Sequence, residues 1–252
     1  MAESRKYPQL DLKILYGKAA ARCAFPTCRK FLILEATSSG RAKQLGKIAH
    51  IVAHSPAGPR ADAEYPQDKL DTYANWVLLC PTCHDIVDTQ PENYPPETLF
   101  KIKQEHELWV EEQLDKEMSN VSFAELEIAA KALSTGKFSE PVDFHVIPPE
   151  LKITKNNLTQ ISRTYITMGL SRSSEVERFF ASMAKFVDPD FPERLKNGFK
   201  QKYLELSKDS SGDELFMDML DFANSGRSDF KQQAAGLAIL THLFHLCEIF
   251  EK

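Results

Sequence analysis

The chain has 252 residues, of which 42% are hydrophobic and 27% charged, and its formal net charge is −5. This length allows two modest domains, and the composition excludes a disordered or fibrous protein. Residues 1–13 lack the apolar stretch of a signal peptide, so we expect a cytoplasmic protein. The longest apolar run, residues 234–250, contains His242, His245 and Glu248, so it predicts a buried helix rather than a membrane span.

The charge is distributed unevenly along the chain. Residues 1–60 contain eleven Lys and Arg against three acidic residues, a net charge of +8, which leaves −13 for the remaining residues. A basic segment in an acidic protein suggests that one end meets a polyanion such as nucleic acid. Arg41, Lys47 and Arg60 are the candidate phosphate contacts, although a solvated basic face would have the same composition.

Four of the five cysteines form two close pairs, Cys23 with Cys28 and Cys80 with Cys83. Two such turns can complete a tetrahedral site, so we predict a structural zinc ion bound by all four thiolates. Buried thiols, disulfides and a redox motif are the alternatives. Disulfides fit poorly with a chain that lacks a secretion signal, and a redox pair needs no second pair. Cys247 lies in the last apolar helix and is predicted to be a core residue.

The segment between the cysteine pairs predicts a strand, a long polar loop and a second strand. His50 lies on one face of the first strand, and Asn75 directly precedes the second, Trp76–Leu79, which is wholly apolar and therefore buried. A helix should open at the second cysteine pair and carry His84 and Asp88, which share a helix face at this spacing. This order predicts a ββα unit that zinc holds together at its base.

Over about residues 20–110 the chain resembles the HNH endonucleases, on the phrases AHIVAHSPAGPR, YANWVLLC and CPTCHDIVD. The resemblance implies a ββα-metal finger that hydrolyses phosphodiester bonds with a divalent metal ion, Mg²⁺ or Mn²⁺. By position, His50 matches the family's general base and Asn75 the residue that orients it. His84 matches a metal ligand of the catalytic site. Asp88 stands where some members of the family place a second ligand on the helix.

One position departs from the family's pattern. Many members have Asp or His immediately before the base as a further metal ligand, whereas this chain has Ala49, which cannot coordinate a metal. Either His84 and Asp88 hold the ion together with water and phosphate oxygens, or His54 completes the site. A metal on the scissile phosphate would stabilise the charge of the transition state, while neutral His50 accepts the proton of the attacking water.

The second half of the chain is predicted to be helical. One helix is expected over residues 97–117, with His106 on its surface, and another over 121–137. Prolines at 141, 148 and 149 indicate a linker. Further helices are predicted near 172–187, 193–208, 212–224 and 229–251.

Ser173, Ser174 and Glu177 are candidate caps of the first of these helices, and Asp213 and Ser228 are candidate caps of later ones. His145, His242 and His245 are expected to be packing or surface residues. The predicted domains are 1–118 for the nuclease, 119–160 for a helix and linker, and 161–252 for helical docking or oligomerisation.

The phrases RLKNGFKQKYLELSKD, DELFMDMLDFA and LFHLCEIFE resemble the C-terminal domain of effectors in ABC three-component systems, over about residues 145–252. These systems are bacterial antiphage defence modules such as Lamassu. The resemblance implies that this half does no chemistry. It would instead dock onto an SMC-like ABC ATPase and a small middle subunit, or onto further copies of the chain.

The sequence therefore predicts an α+β protein, with a zinc-stapled HNH finger followed by an all-α domain. The expected function is metal-dependent cleavage of DNA within a defence complex, without a membrane. Two other functions stay open: a catalytically weak zinc-ribbon module that binds nucleic acid, and a nuclease that acts on RNA or tRNA.

Overall fold

The computed structural model describes residues 5–34, 40–133, 148–246 and 249–250. The chain divides into two units, Met1–Glu112 and Gln113–Lys252. Cys247, predicted to be a core residue, and His145, predicted to be a packing or surface residue, lie outside the described residues, as do positions 134–137 of the predicted helix 121–137. None of the described helices combines the length and the apolar character that a membrane crossing requires.

The first unit contains short strands and helices around a small core. Its elements are α1 (Gln9–Lys18), β1 (Ile33–Leu34), β2 (Lys43–Gln44), β3 (Lys47–His50), α2 (Gln67–Leu70), a 3-10 turn (Tyr73–Asn75), β4 (Trp76–Leu79), α3 (Pro81–Thr89) and α4 (Pro96–Met118). Strands β1 and β2 pair antiparallel, as do β3 and β4. The second register aligns Lys47 with Leu79 and His50 with Trp76.

Strand β4 forms the centre of this core, as its apolar sequence predicts. Its four side chains are at most 1% exposed and pack with Leu15, Leu32, Val87 and Leu99, among others. Burial of each large apolar side chain contributes about 1.5 to 3 kcal/mol. Helix α3 follows β4 immediately: Pro81 supplies the fixed φ of a first helical residue, and Cys80 is the N-cap. The strand thereby fixes where the helix begins.

The second unit is a helical bundle around its last long helix. Its elements are the end of α4, then α5 (Phe123–Leu133), α6 (Pro149–Lys155), α7 (Gln160–Leu170), α8 (Ser173–Phe186), α9 (Phe191–Leu206), α10 (Gly212–Asn224) and α11 (Phe230–Leu246). Every residue of α11 from Gln233 to Phe244 is buried, because α5, α7, α8 and α10 all pack against it. Gly236 permits the close approach of α10, since a Cβ there would lie 2.6 Å from the Ala223 carbonyl oxygen.

The mixed, mainly helical architecture confirms the α+β prediction at this level. Helices α8 to α11 lie close to the four predicted segments, but α6 lies in the stretch predicted as a linker, and α7 was not predicted. The N-cap positions of α8 and α10 are Arg172 and Ser211, so the predictions for Ser173 and Asp213 are wrong. The Ser173 side chain lies 2.8 Å from His242 Nδ1 instead of capping α8. Asp213 accepts hydrogen bonds from the Thr159 backbone N–H and hydroxyl and from the Ser162 hydroxyl, so it secures the start of α7.

Candidate metal centre and active site

The two cysteine pairs meet in one cluster. The Sγ atoms of Cys23, Cys28, Cys80 and Cys83 all lie within 4.8 Å of one another, and those of Cys28 and Cys80 are 3.9 Å apart. A tetrahedral zinc ion with Zn–S bonds of about 2.3 Å requires sulfur atoms about 3.8 Å apart. The cluster therefore has the donor type and the spacing for one zinc ion.

The surroundings of these thiols favour a bound cation. The Cys80 backbone N–H donates to Cys23 Sγ at 3.3 Å, and that of Cys83 donates to Cys80 Sγ at 3.4 Å. Burial nevertheless raises the pKa of Cys23 to about 11 and raises that of Cys83 as well. Although burial also opposes ionisation of Cys80, hydrogen bonds from Cys83 and the neighbouring thiols lower its pKa. A cation at the centre would supply the charge that all four thiolates need.

A histidine on α4, His106, contacts residues on both sides of the first cysteine turn. His106 is 1% exposed, so the predicted surface position is wrong. Its Nδ1 pairs with the Arg29 guanidinium, its Nε2 lies 3.2 Å from the Ala19 carbonyl oxygen, and Arg29 stacks over Trp109. Burial and the adjacent guanidinium lower the pKa of His106 to about 4, so this imidazole is neutral. It acts as a structural link beside the cysteine cluster.

His50 ends β3 in a largely buried position, 8% exposed. Its Nε2 lies 3.0 Å from Asp71 Oδ1 and 3.2 Å from Nε1 of Trp76, its partner across the strand pair. Burial lowers the pKa of His50, and the hydrogen bond to Asp71 opposes that shift. The imidazole is therefore neutral near pH 7 and can accept a proton.

Asn75 fixes the backbone that follows His50. Its side chain is fully buried; Oδ1 accepts from the Val52 backbone N–H at 2.9 Å, and Nδ2 donates to the carbonyl oxygens of Val52 and Leu70. The Asn75 carbonyl oxygen accepts from the Ile51 backbone N–H at 2.8 Å. Every polar group of the amide is used to join the end of β3 to the end of the long loop.

Asp71 is a site residue that the sequence did not reveal. Its carboxylate lies between two imidazoles, with Oδ1 at 3.0 Å from His50 and Oδ2 at 3.4 Å from His54 Nε2. Although burial alone would raise it, the pKa of Asp71 lies below its usual value because the Lys6 backbone N–H and His50 bond to the carboxylate. The loop also contains Asp62, Glu64 and Asp68, so the sequence alone could not single out this acid.

Arg60 joins the end of β3 to helix α3 from within. Its side chain is 3% exposed and donates to three carbonyl oxygens: Ile51 at 3.1 Å, Val87 at 2.6 Å and His50 at 3.3 Å. Its Nη2 also donates to Asp88 Oδ1 at 2.6 Å. The backbone of Arg60 is left-handed, with φ of 63°, a conformation that persists where surrounding contacts enforce it. This placement gives Arg60 a structural role, and the phosphate contact stays a prediction.

His84 and Asp88 share one face of α3, as their spacing predicts. Asp88 Oδ2 lies 3.4 Å from His84 Nδ1, while its Oδ1 binds Arg60. Within the described residues, the cysteines form the one group of three or more His, Cys, Asp or Glu side chains close enough to share a metal. A divalent ion at His84 would therefore take most of its ligands from water or phosphate.

The other two residues predicted to contact phosphate, besides Arg60, lie at the surface. Arg41 and Lys47 are both exposed, as is Lys43 on β2. Lys47 starts β3, the strand that ends at His50. These side chains are available to an anion, in contrast to Arg60.

Comparison with known proteins identifies the helical half. A search of curated proteins finds no match to the chain. The sequence matches C-terminal domain 10 of the ABC-three component (ABC-3C) systems over residues 125–251, half of the chain and most of the second unit. Such a domain implies association with the other subunits of a system. The chain therefore belongs to the family of proteins that carry C-terminal domain 10 of the ABC-three component systems.

Proposed function

We propose that this protein is an HNH-type, metal-dependent endonuclease that cleaves DNA as the effector of a three-component antiphage defence complex. One observation carries the proposal: Arg60 Nη2 bonds both to the carbonyl oxygen of His50 and to Asp88. The strand that presents the candidate base is thereby fixed beside the helix that carries His84. The antiparallel pair β3 and β4, followed directly by α3, supports the same interpretation.

The neutral imidazole of His50 would accept the proton of the attacking water. Asn75 holds the backbone after His50 and thereby fixes the point from which β3 presents the ring. A divalent ion at His84 would neutralise charge on the phosphate in the transition state. Ala49 lies in β3 with 1% exposure and offers no ligand, and His54 faces Asp71.

Zinc in this proposal is structural. The cysteine cluster joins the turn after α1 to the start of α3, so a tightly bound ion would fix the helix that carries His84. Mg²⁺ or Mn²⁺ would act at the separate catalytic position, where the available donors are imidazole nitrogen and carboxylate oxygen.

The helical unit would bring the nuclease to its partners. The match to an ABC-3C domain supports docking onto an SMC-like ABC ATPase and a small middle subunit, or onto further copies of the chain. Exposed Arg41 and Lys47 would contact the phosphate backbone, which DNA and RNA have in common.

Two other functions remain candidates. The shortage of protein ligands around His84 favours a zinc-stabilised module that binds nucleic acid without cutting it. A phosphodiester centre of this kind also does not distinguish the sugar, so RNA or tRNA is a second candidate substrate.

The test is to incubate the full-length protein, purified with its zinc, with supercoiled plasmid, single-stranded RNA or tRNA. Each reaction contains Mg²⁺, Mn²⁺ or EDTA, with and without the other subunits of the system. We expect nicked and linear plasmid that depends on the divalent ion. His84→Ala should require a higher ion concentration, while His245→Ala in the helical unit serves as the matched control. Cleavage of RNA alone would support the RNA nuclease, and binding without cleavage would support the binding module.

A further inference from the structure

The Asp71 carboxylate is held rigidly against His50. Its Oδ2 accepts from the Lys6 backbone N–H at 2.6 Å and lies 3.4 Å from His54 Nε2, which leaves Oδ1 facing His50 Nε2 at 3.0 Å. Asp71 also lies directly after α2, close in sequence to Asn75, the residue that fixes the backbone after His50. One end of the loop thus positions both the backbone and the ring of the candidate base.

The two neighbours of His50 Nε2 require opposite protonation states of that nitrogen. The Trp76 indole N–H, 3.2 Å away, needs a bare nitrogen lone pair, whereas the Asp71 carboxylate, 3.0 Å away, needs an N–H. An ionised carboxylate only accepts hydrogen bonds and would repel a lone pair, and this one already accepts from the Lys6 backbone N–H. A hydrogen bond to a charged acceptor is also roughly twice as strong as one between neutral groups. The carboxylate therefore decides where the proton lies.

We infer that Asp71 is a positioning residue that holds the His50 imidazole with its proton on Nε2, which makes Nδ1 the basic nitrogen. The hydrogen bonds of the His50 ring to the described residues all involve Nε2, which in this inference leaves the Nδ1 lone pair to accept the proton of water. The catalytic meaning rests on the proposed function of His50 as a general base. The position of the proton is a property of the folded chain whether or not it cleaves DNA.

The first arm of the test measures the ring nitrogens. The full-length protein is labelled with ¹⁵N-histidine, and long-range ¹H–¹⁵N spectra at pH 7.5 report which nitrogen carries the proton, with His50→Gln to assign the signals. We expect the Nε2–H tautomer in the wild type. In Asp71→Ala, Trp76 becomes the remaining partner of Nε2, so the proton should move to Nδ1. Asp68→Ala removes an exposed carboxylate from the same loop and should leave the tautomer unchanged.

The second arm measures plasmid cleavage by the same proteins at equal zinc content. Asp71→Ala should lower kcat by at least about a hundredfold with little change in KM, because its imidazole presents a proton where a lone pair is needed. Asp71→Glu, which restores a carboxylate, should recover part of the rate, and Asp68→Ala should cut at the wild-type rate. A residue that only supports the fold would change zinc content and thermal stability instead.

The outcomes separate the two ideas. An Nδ1–H tautomer in the wild type overturns the inference, and this measurement needs no variant. Wild-type protein that cuts neither DNA nor RNA overturns the proposed function, while the spectra still decide whether Asp71 sets the tautomer. If the wild type has the Nε2–H tautomer but Asp71→Ala keeps the full kcat, Asp71 has no role in catalysis.

Discussion

Three buried histidines, His50, His106 and His242, differ in what surrounds each imidazole. Among the described buried histidines, His50 alone is hydrogen-bonded to a carboxylate. His106 bonds to Arg29 and lies against a backbone carbonyl oxygen, and His242 bonds to the Ser173 hydroxyl. A carboxylate partner orients an imidazole for proton transfer, whereas the other two rings fill the core. Burial alone therefore does not identify the candidate base.

His242 makes the helical unit sensitive to acid. Burial, with smaller effects of His245 and Lys196, lowers its pKa to about 4, against 6.5 for an exposed histidine. The unfolded chain binds this proton more tightly than the folded unit does. The free energy of unfolding is therefore undiminished above pH 6.5 and falls as the pH drops towards 4. At pH 4.5 the loss should be about 2 kcal/mol. Chemical denaturation of wild type and His242→Asn at pH 7 and 4.5 measures it, and equal losses in both proteins would contradict this account.

Arg60 shows how one side chain can join two elements. Its guanidinium donates to three carbonyl oxygens and to Asp88, a planar arrangement that lysine cannot reproduce. We expect Arg60→Lys to destabilise the first unit by about 2 to 4 kcal/mol, because buried carbonyl oxygens lose their donors. The measurement is denaturant unfolding followed by Trp fluorescence, with Lys47→Ala as the exposed control. Unchanged stability with weaker DNA binding would make Arg60 a phosphate contact instead.

The cysteine cluster joins the turn after α1 to the start of α3. Cys80→Ser should reduce bound zinc from one ion per chain to almost none and unfold the first unit, because zinc binding supplies much of the folding free energy of such small units. The helical unit has its own core and should stay folded. Elemental analysis and circular dichroism report both effects, with Thr82→Ala as the control within the same turn. A Cys80→Ser protein with a native first unit would rule out structural zinc.

The sequence predicted those features that depend on local pattern. The run Trp76–Leu79 is continuously apolar and forms β4. The short spacing within each cysteine pair indicated that both pairs could serve one metal ion, and the four sulfur atoms do lie together. Asp71 and His106 depend on contacts between distant segments: Asp71 reaches back to His50, and His106 reaches Ala19. Helix α6 was hidden by its prolines, yet Pro149 serves as its first residue and Lys152 is fully buried against the Phe244 carbonyl oxygen.

At the level of the whole molecule, the chain combines a candidate catalytic unit, whose first 60 residues are basic, with a helical unit that matches an ABC-3C domain. In the proposed function each chain would offer one cleavage site, whereas a double-strand break requires two cuts close together. Assembly through the helical unit would raise the local concentration of sites around one DNA segment. Docking and cleavage are therefore expected to be separable properties of the two units.

This separation is testable by reciprocal variants. The full chain should co-elute with the other subunits of its system in size-exclusion chromatography, and His50→Ala should do so equally well. A chain that ends after Asn120, beyond the last residue of α4, should lose that association. Its intrinsic cleavage should no longer respond to the partners. Equal association of the truncated and full-length chains would contradict a docking role for residues 125–251.

The central claim is that His50 is the general base of a nuclease. The most direct measurement is the single-turnover rate of plasmid nicking in Mg²⁺ or Mn²⁺ by wild type and His50→Ala, at equal zinc content and equal DNA occupancy. We predict a rate for His50→Ala at least about a hundredfold lower, with zinc and DNA binding retained. A His50→Ala protein that nicks DNA at the wild-type rate would contradict the account.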